Sequence, residues 1–250
     1  LKRVEEDYVM DYEDLEKKID EKVKYLILCN PHNPVGRVWK KDELEKLGNI
    51  CLKNNIKVIS DEIHGDLVYG SNRYIPFASI SEDFAKNSIT CMSPTKTFNL
   101  AGLQASFAIF PDRKDYEKFQ RILGILDIKR NNCFSLVAVE AAYRKGEEWL
   151  NEILGYLEGN IDLVISYCKE NIPQIKPNKP EGTYLIWLDC KELGFSQEEL
   201  NYFMQSKAKL ALDSGTWFGA MGHGYMRINI ACPREILIEG LKRIEKAIKE

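Results

Sequence analysis

The chain has 250 residues, 44% of them apolar, and a formal net charge of −3, enough to enclose a sizeable core in one large domain or two smaller ones. Lysines and acids are interleaved without a basic stripe joined to aromatics, which excludes nucleic acid as an expected partner, and no apolar stretch approaches the ~20 residues of a membrane span. Seven cysteines without a C-x-x-C pair read as reduced, packed thiols of a cytoplasmic protein.

In chain order, residues 23–29 form an apolar run that predicts a buried strand, ending in the loop Asn30-Pro-His-Asn-Pro-Val-Gly36. Residues 41–53 follow as a helix with Leu44, Leu47, Ile50 and Cys51 on one face. Strand 56–60 ends at Asp61-Glu62, and strand 88–92 runs into Ser93-Pro-Thr-Lys96. Strand 104–110 is next, then a helix over 114–127 with Tyr116, Phe119, Ile122, Leu123 and Leu126 expected inward. This alternation predicts an α/β layer with a mostly parallel sheet. Helices 132–145 and 147–171 lead to a different rhythm: strand 183–189, helix 196–207, strand 225–231 and a closing helix with Leu237, Leu241, Ile244 and Ile248 on one face. The expected division is a domain over 1–150 and a smaller α+β domain over 151–250. No leader pattern precedes the first strand.

Ligands of open α/β sheets gather at the carboxyl ends of the strands, and Asn33, Asp61 and Lys96 all follow such ends. Beside Lys96 stand the hydroxyls of Ser93 and Thr95, which can hydrogen-bond a phosphate while the amine attacks an aldehyde. Each residue has a plain structural alternative. Lys96 can be an ordinary strand-end lysine, Asp61 a turn cap, Asn33 part of an Asn-Pro turn and Arg227 an exposed strand arginine. Trp217 and Phe218 line a substrate pocket or simply pack. His32, His64 and His223 lie far apart without ligand spacing, so no metal is expected.

Together, Asn33-Pro34-Val35-Gly36, Asp61-Glu62-Ile63-His64, Ser93-Pro94-Thr95-Lys96 and Arg227-Ile228-Asn229 resemble the class I/II aminotransferase superfamily of pyridoxal 5'-phosphate (PLP) enzymes, a likeness that extends to Pro180-Glu-Gly-Thr-Tyr184. The surrounding runs Asn30-Pro-His-Asn-Pro-Val-Gly-Arg-Val-Trp39, Ser60-Asp-Glu-Ile-His64 and Lys96-Thr-Phe-Asn-Leu-Ala-Gly102 look most like its cystathionine β-lyase, or C–S lyase, branch. The resemblance implies a three-layer α/β/α large domain of the PLP-dependent transferase type, its N-terminal part missing, plus a small C-terminal domain. Lys96 would carry the cofactor and act as base, and Asp61 would pair with the pyridine nitrogen. Asn33, after which a cis bond to proline is common in the family, would donate to the phenolic oxygen. His64 takes a position where many relatives carry a tyrosine that contacts the same oxygen, and can equally be a packed histidine. Ser93 and Thr95 would hold the phosphate, and Arg227 the substrate α-carboxylate. The implied reaction is β-elimination on cystathionine- or cysteine-type amino acids, giving a thiol, pyruvate and ammonia. Transamination of an amino acid is the alternative, and a truncated non-catalytic module a second one. Aminotransferases of the superfamily carry an arginine eight positions after the lysine; here that position is Gln104, which favours the lyase branch. Family members begin well before the segment that matches Leu1 and are usually homodimers, so a partial chain and self-association are expected.

Overall fold

The computed structural model describes residues 1–5, 7–128 and 130–250. The chain forms two compact units, Leu1–Pro31 with Val38–Glu152, and His32–Arg37 with Ile153–Glu250. In the first unit, β1 (Lys2–Val4) and β2 (Asp7–Val9) form an antiparallel hairpin. The main sheet has the order β3 (Tyr25–Cys29), β4 (Lys57–Asp61), β5 (Ser88–Met92) and β6 (Phe107–Ile109). The first three strands are parallel and β6 runs antiparallel at the edge. Strand β6 is shorter than the predicted 104–110, because Gln104 turns into the left-handed region at φ 53° and ends the preceding turn.

Helix α1 (Tyr12–Lys18) precedes β3 and helix α3 (Glu82–Lys86) precedes β5. Helix α2 (Lys41–Lys53) starts where the Glu43 carboxylate accepts the Lys40 backbone N–H at 2.8 Å. Its residues Leu44, Leu47 and Cys51 share a core with Leu28 and Val58 of the sheet and with Trp39, Phe77 and Phe84. Side chains alternate across a strand, so β3 turns Tyr25 and Ile27 to the other face, where they are 59% and 75% exposed. Helices α5 (Arg113–Ile125) and α6 (Cys133–Lys145) also carry exposed apolar residues, including Phe134 and Val137. Tyr116, Phe119, Ile122 and Leu126, expected inward, are exposed. The helical period was right and the burial was not. An apolar stripe marks a face suited to a partner surface without supplying one, and no layer among the described residues covers it.

The second unit holds an antiparallel sheet of order β7 (Lys176–Pro177), β8 (Leu185–Asp189), β10 (Tyr225–Asn229) and β9 (Asp213–Ser214). The boundary between the units falls within helix α7 (Glu147–Asn171), whose Leu157, Ile161, Val164 and Cys168 are buried. Helix α9 (Arg234–Lys249) buries Leu237, Leu241 and Ile244. The fully buried Asn160 of α7 donates to the carbonyls of Ile230 and Cys232 at 2.9 and 3.2 Å and accepts from Arg234 Nε at 3.0 Å. One side chain thereby fixes the chain leaving β10 and the start of α9. The predicted helix 196–207 divides into α8 (Gln197–Tyr202) and a wide π turn, Phe203–Lys207. The wider turn puts the neighbouring side chains of Phe203 and Met204 both inside.

The loop His32–Arg37 is held by backbone bonds from Glu181 and Gly182 to the Gly36 carbonyl at 2.8 and 2.9 Å. Arg37 Nε also pairs with Glu181 Oε2 at 2.9 Å. Gly36 has φ +76°, and an added Cβ would lie 2.4 Å from Pro180 Cβ and 2.8 Å from its Cα. Gly36→Ala is therefore expected to cost roughly 2–4 kcal/mol, from backbone strain plus overpacking. Denaturant melts of the two proteins check this, and an unchanged midpoint would contradict it.

None of the described cysteines is joined in a disulfide. Burial pushes Cys51 up to about 11 and Cys168 up to about 12, and raises Cys190 further still. A thiol reagent acts on the thiolate, so the exposed Cys133 should be alkylated first at pH 8. Cys51, Cys168 and Cys190 should stay unmodified even at about pH 9.5, where an ordinary thiol is mostly ionised, until denaturant is added. Peptide mapping by mass spectrometry reads the order.

Candidate active site

Asp61 closes β4 and stands in register between Cys29 of β3 and Cys91 of β5. The three side chains leave the sheet on the face opposite the α2 core. Asp61 Oδ1 accepts the Ile63 N–H at 3.3 Å, and among the described residues Oδ2 takes no hydrogen bond. Burial first, and then the charges of Asp61 and Glu62, raise the Cys91 thiol above its ordinary value, so it stands neutral beside the carboxylate.

Glu62 points the other way. It is 1% exposed, and Ser60 Oγ donates to its Oε1 at 2.6 Å, as does the Phe77 N–H at 3.0 Å. Tyr74 donates its hydroxyl to Oε2. Its phenol is held well above its usual range, by burial first and then by the Glu62 charge and hydrogen bond. This network anchors the turn that carries Asp61. His64 lies in that turn with 3% of its surface exposed, buried inside the first unit.

Lys96 lies on the one-turn helix α4 (Pro94–Thr97), entered directly from β5. Thr97 Oγ1 donates to Asp66 Oδ2 at 2.8 Å, tying the lysine turn to the segment that follows Asp61. On its far side, Phe98 packs against Tyr143 and Trp149 with both ring centroids 5.8 Å away. Between these anchors Lys96 is half-buried, and among the described residues its amine has no hydrogen-bond or ion-pair partner.

The two hydroxyls are wired in series. Ser93 Oγ donates to the Ala105 carbonyl at 2.7 Å, so Thr95 Oγ1, 2.6 Å away, is the donor to Ser93. The Thr95 N–H also donates to Ser93 Oγ at 3.1 Å. Ser93 thus holds the strand end to the 105 loop, and Thr95 has the hydroxyl that a rotation redirects to a new acceptor. Gln104 is exposed, with amide donors in place of a fixed charge.

Asn33 and Arg227 belong to the second unit. The Asn33–Pro34 peptide is cis. Arg227 Nη1 donates to Asn33 Oδ1 at 2.7 Å. A guanidinium only donates, so this contact fixes the amide with its Nδ2 donors turned away from Arg227. Arg227 Nε donates to Asp213 Oδ2 at 2.9 Å, and the guanidinium carbon lies 4.7 Å from the centre of the Phe218 ring. Phe218 therefore packs on the arginine, whereas Trp217 is 72% exposed. Sequence patterns missed Asp213, Asp66 and the Glu62 network. Only Asp213 left a trace, two positions before the glycine of a tight loop. The loop is tight because a Cβ on Gly215 would lie 2.1 Å from the Gly222 carbonyl oxygen.

A PLP group asks for an amine to meet its aldehyde, an acid for its ring nitrogen and donors for its phosphate. The first unit holds an unpartnered amine, a carboxylate with an open oxygen and redirectable hydroxyl and amide donors. These residues fit the group. The described residues contain no His/Cys/Asp/Glu cluster able to hold a metal ion.

The sequence pattern of the family "Aminotransferase class I and II" matches residues 2–244. The chain belongs to this family. Cystathionine β-lyase PatB of Bacillus subtilis is 46% identical over 242 residues, 96% of this chain and 62% of that protein. A PLP-bound crystal structure from Clostridium difficile 630 is 58% identical with a TM-score of 0.97, covering 99% of this chain and 64% of the other. Cystalysin from Treponema denticola, which contains PLP, is 37% identical with a TM-score of 0.94, over 98% of this chain and 63% of cystalysin. The fold is thus that of class I/II aminotransferases. The chain spans about three fifths of the length of the curated relatives it matches.

Proposed function

We propose that the protein to which this chain belongs binds PLP and cleaves the C–S bond of cystathionine- or cysteine-type amino acids by β-elimination. The observation that carries this is the half-buried, unpartnered amine of Lys96 at the same sheet edge as the open Asp61 carboxylate. Likeness to a cystathionine β-lyase over nearly the whole chain supports the C–S branch.

When bound, the cofactor supplies an electron sink conjugated to the substrate Cα. Lys96 Nζ would anchor the cofactor and would serve as general base for the substrate Cα proton. The Asp61 carboxylate would favour a proton on the ring nitrogen through its opposite charge. Thr95 would offer its hydroxyl to the phosphate, with Ser93 keeping Thr95 in place. Asn33 Nδ2, fixed by Arg227, would donate to the phenolic oxygen. Arg227 would hold the substrate α-carboxylate. The Cβ–S bond breaks with its electron pair going to sulfur, so a thiolate leaves, and the released enamine hydrolyses to pyruvate and ammonia.

Transamination uses the same lysine and is the second reading, favoured by the family's own chemistry. L-Cystathionine given to the purified full-length protein with PLP separates them. Elimination releases thiol and pyruvate in equal amounts without an added keto acid. Keto-acid-dependent exchange without thiol release would contradict the proposal, and a protein that stays colourless with added PLP would sink both. We further propose a homodimer in a reducing, cytoplasmic setting, in keeping with seven cysteines of which none is in a disulfide. Among the described residues, no helix is long and apolar enough to cross a membrane.

A further inference from the structure

We propose that Asp213 is a positioning residue for Arg227, fixing its guanidinium so that one N–H on each terminal nitrogen stays open to a carboxylate. The inference rests on Arg227 as the carboxylate site. Strand β9 is two residues long, and Asp213 stands opposite Arg227 in its antiparallel register with β10, so both side chains leave the sheet on one face. Arg227 Nε and Nη2 donate to the same Asp213 oxygen, at 2.9 and 2.5 Å. Nη1 donates to Asn33 at 2.7 Å.

Of the five N–H donors of a guanidinium, three are thereby engaged. One on Nη1 and one on Nη2 remain. The Phe218 ring covers one face, held edge-on by Trp187 at 5.5 Å, which in turn stacks on Tyr225 at 5.1 Å. The Arg227 side chain is 17% exposed and that of Asp213 34%, so the pair is open to a ligand. An aspartate here opposes an incoming carboxylate by charge. Its geometric effect has the other sign, because it holds a long, many-rotamer side chain in one orientation. Both bonds land on one oxygen, so asparagine can reproduce them while removing the charge.

The test is a titration of the full-length protein with propionate, which has the carboxylate but no amine to react with an aldehyde. Binding is read from tryptophan fluorescence and folding from thermal melts. D213A should weaken propionate binding about tenfold or more, through loss of two bonds to a charged donor. D213N should bind at least as tightly as the parent, and R227K should weaken at least as much as D213A. Parent-like binding by D213A overturns the inference, as does equal weakening in D213A and D213N, which would make charge rather than orientation the contribution of Asp213. If R227K also binds like the parent, the carboxylate role of Arg227 falls too. Weakening in R227K alone rejects only the role of Asp213.

Discussion

Lys96→Ala is expected to lower β-elimination by about 10³-fold or more, since it removes both the anchoring amine and the general base. Lys96→Arg sharpens the experiment. Arginine keeps the positive charge and much of the length but does not give up its proton at working pH. If Lys96 served only as a charge beside a phosphate, the arginine variant would retain much of the rate. If it moves a proton at Cα, both variants fail together. The neighbouring contacts make a clean comparison possible. Thr97 to Asp66 and the Phe98 rings hold the turn without help from the lysine amine, so the variants should melt within a few degrees of the parent. Pyruvate release from cystathionine is the measurement, and a Lys96→Arg protein with near-parental turnover would refute the role.

Asp61→Asn is expected to cost about 10²–10³-fold, the scale of one preorganised electrostatic contact. The amide keeps the size and one acceptor but has no charge to favour a proton on its partner. The remaining activity should therefore shift toward acid pH, because a proton held without its counter-charge is lost at lower pH. The fold should survive. Asp61 takes one long bond, 3.3 Å from the Ile63 N–H, whereas the neighbouring Glu62 carries the buried network. The same substitution at Glu62 should reverse the pattern, with a larger fall in melting temperature and a smaller direct effect on chemistry. Pyruvate release across pH measures the Asp61 effect, and a rate and pH profile unchanged in Asp61→Asn would contradict the role.

Most of the first unit was legible because its strands are short, continuous apolar runs that each end in a polar loop. Strands β3, β4 and β5 lie within two residues of their predicted starts and within one of their predicted ends. Asp61 closes β4, and Lys96 lies on the one-turn helix that β5 enters. What was not legible depended on pairing. Strand β9 has two residues and no periodicity to detect, so the Arg227–Asp213 partnership could not be seen. The hairpin of β1 and β2 escaped for the same reason, with three residues in each strand. The hydroxyl pair was found but its wiring was not, because the carbonyl of Ala105 that accepts the Ser93 hydrogen bond reaches it only through the fold. Helix α5 shows the opposite error. Its apolar stripe was read correctly and assigned a cover, although hydrophobic spacing cannot say what supplies one.

Lys96 as the anchor of the cofactor has a direct chemical test. Full-length protein loaded with PLP is reduced with borohydride, digested and mapped by mass spectrometry. Loss of the visible absorbance and a pyridoxyl group fixed to the peptide containing Lys96 are expected, with no such peptide from Lys96→Ala. A pyridoxyl group fixed to a different lysine, or none despite stoichiometric cofactor, would contradict that role.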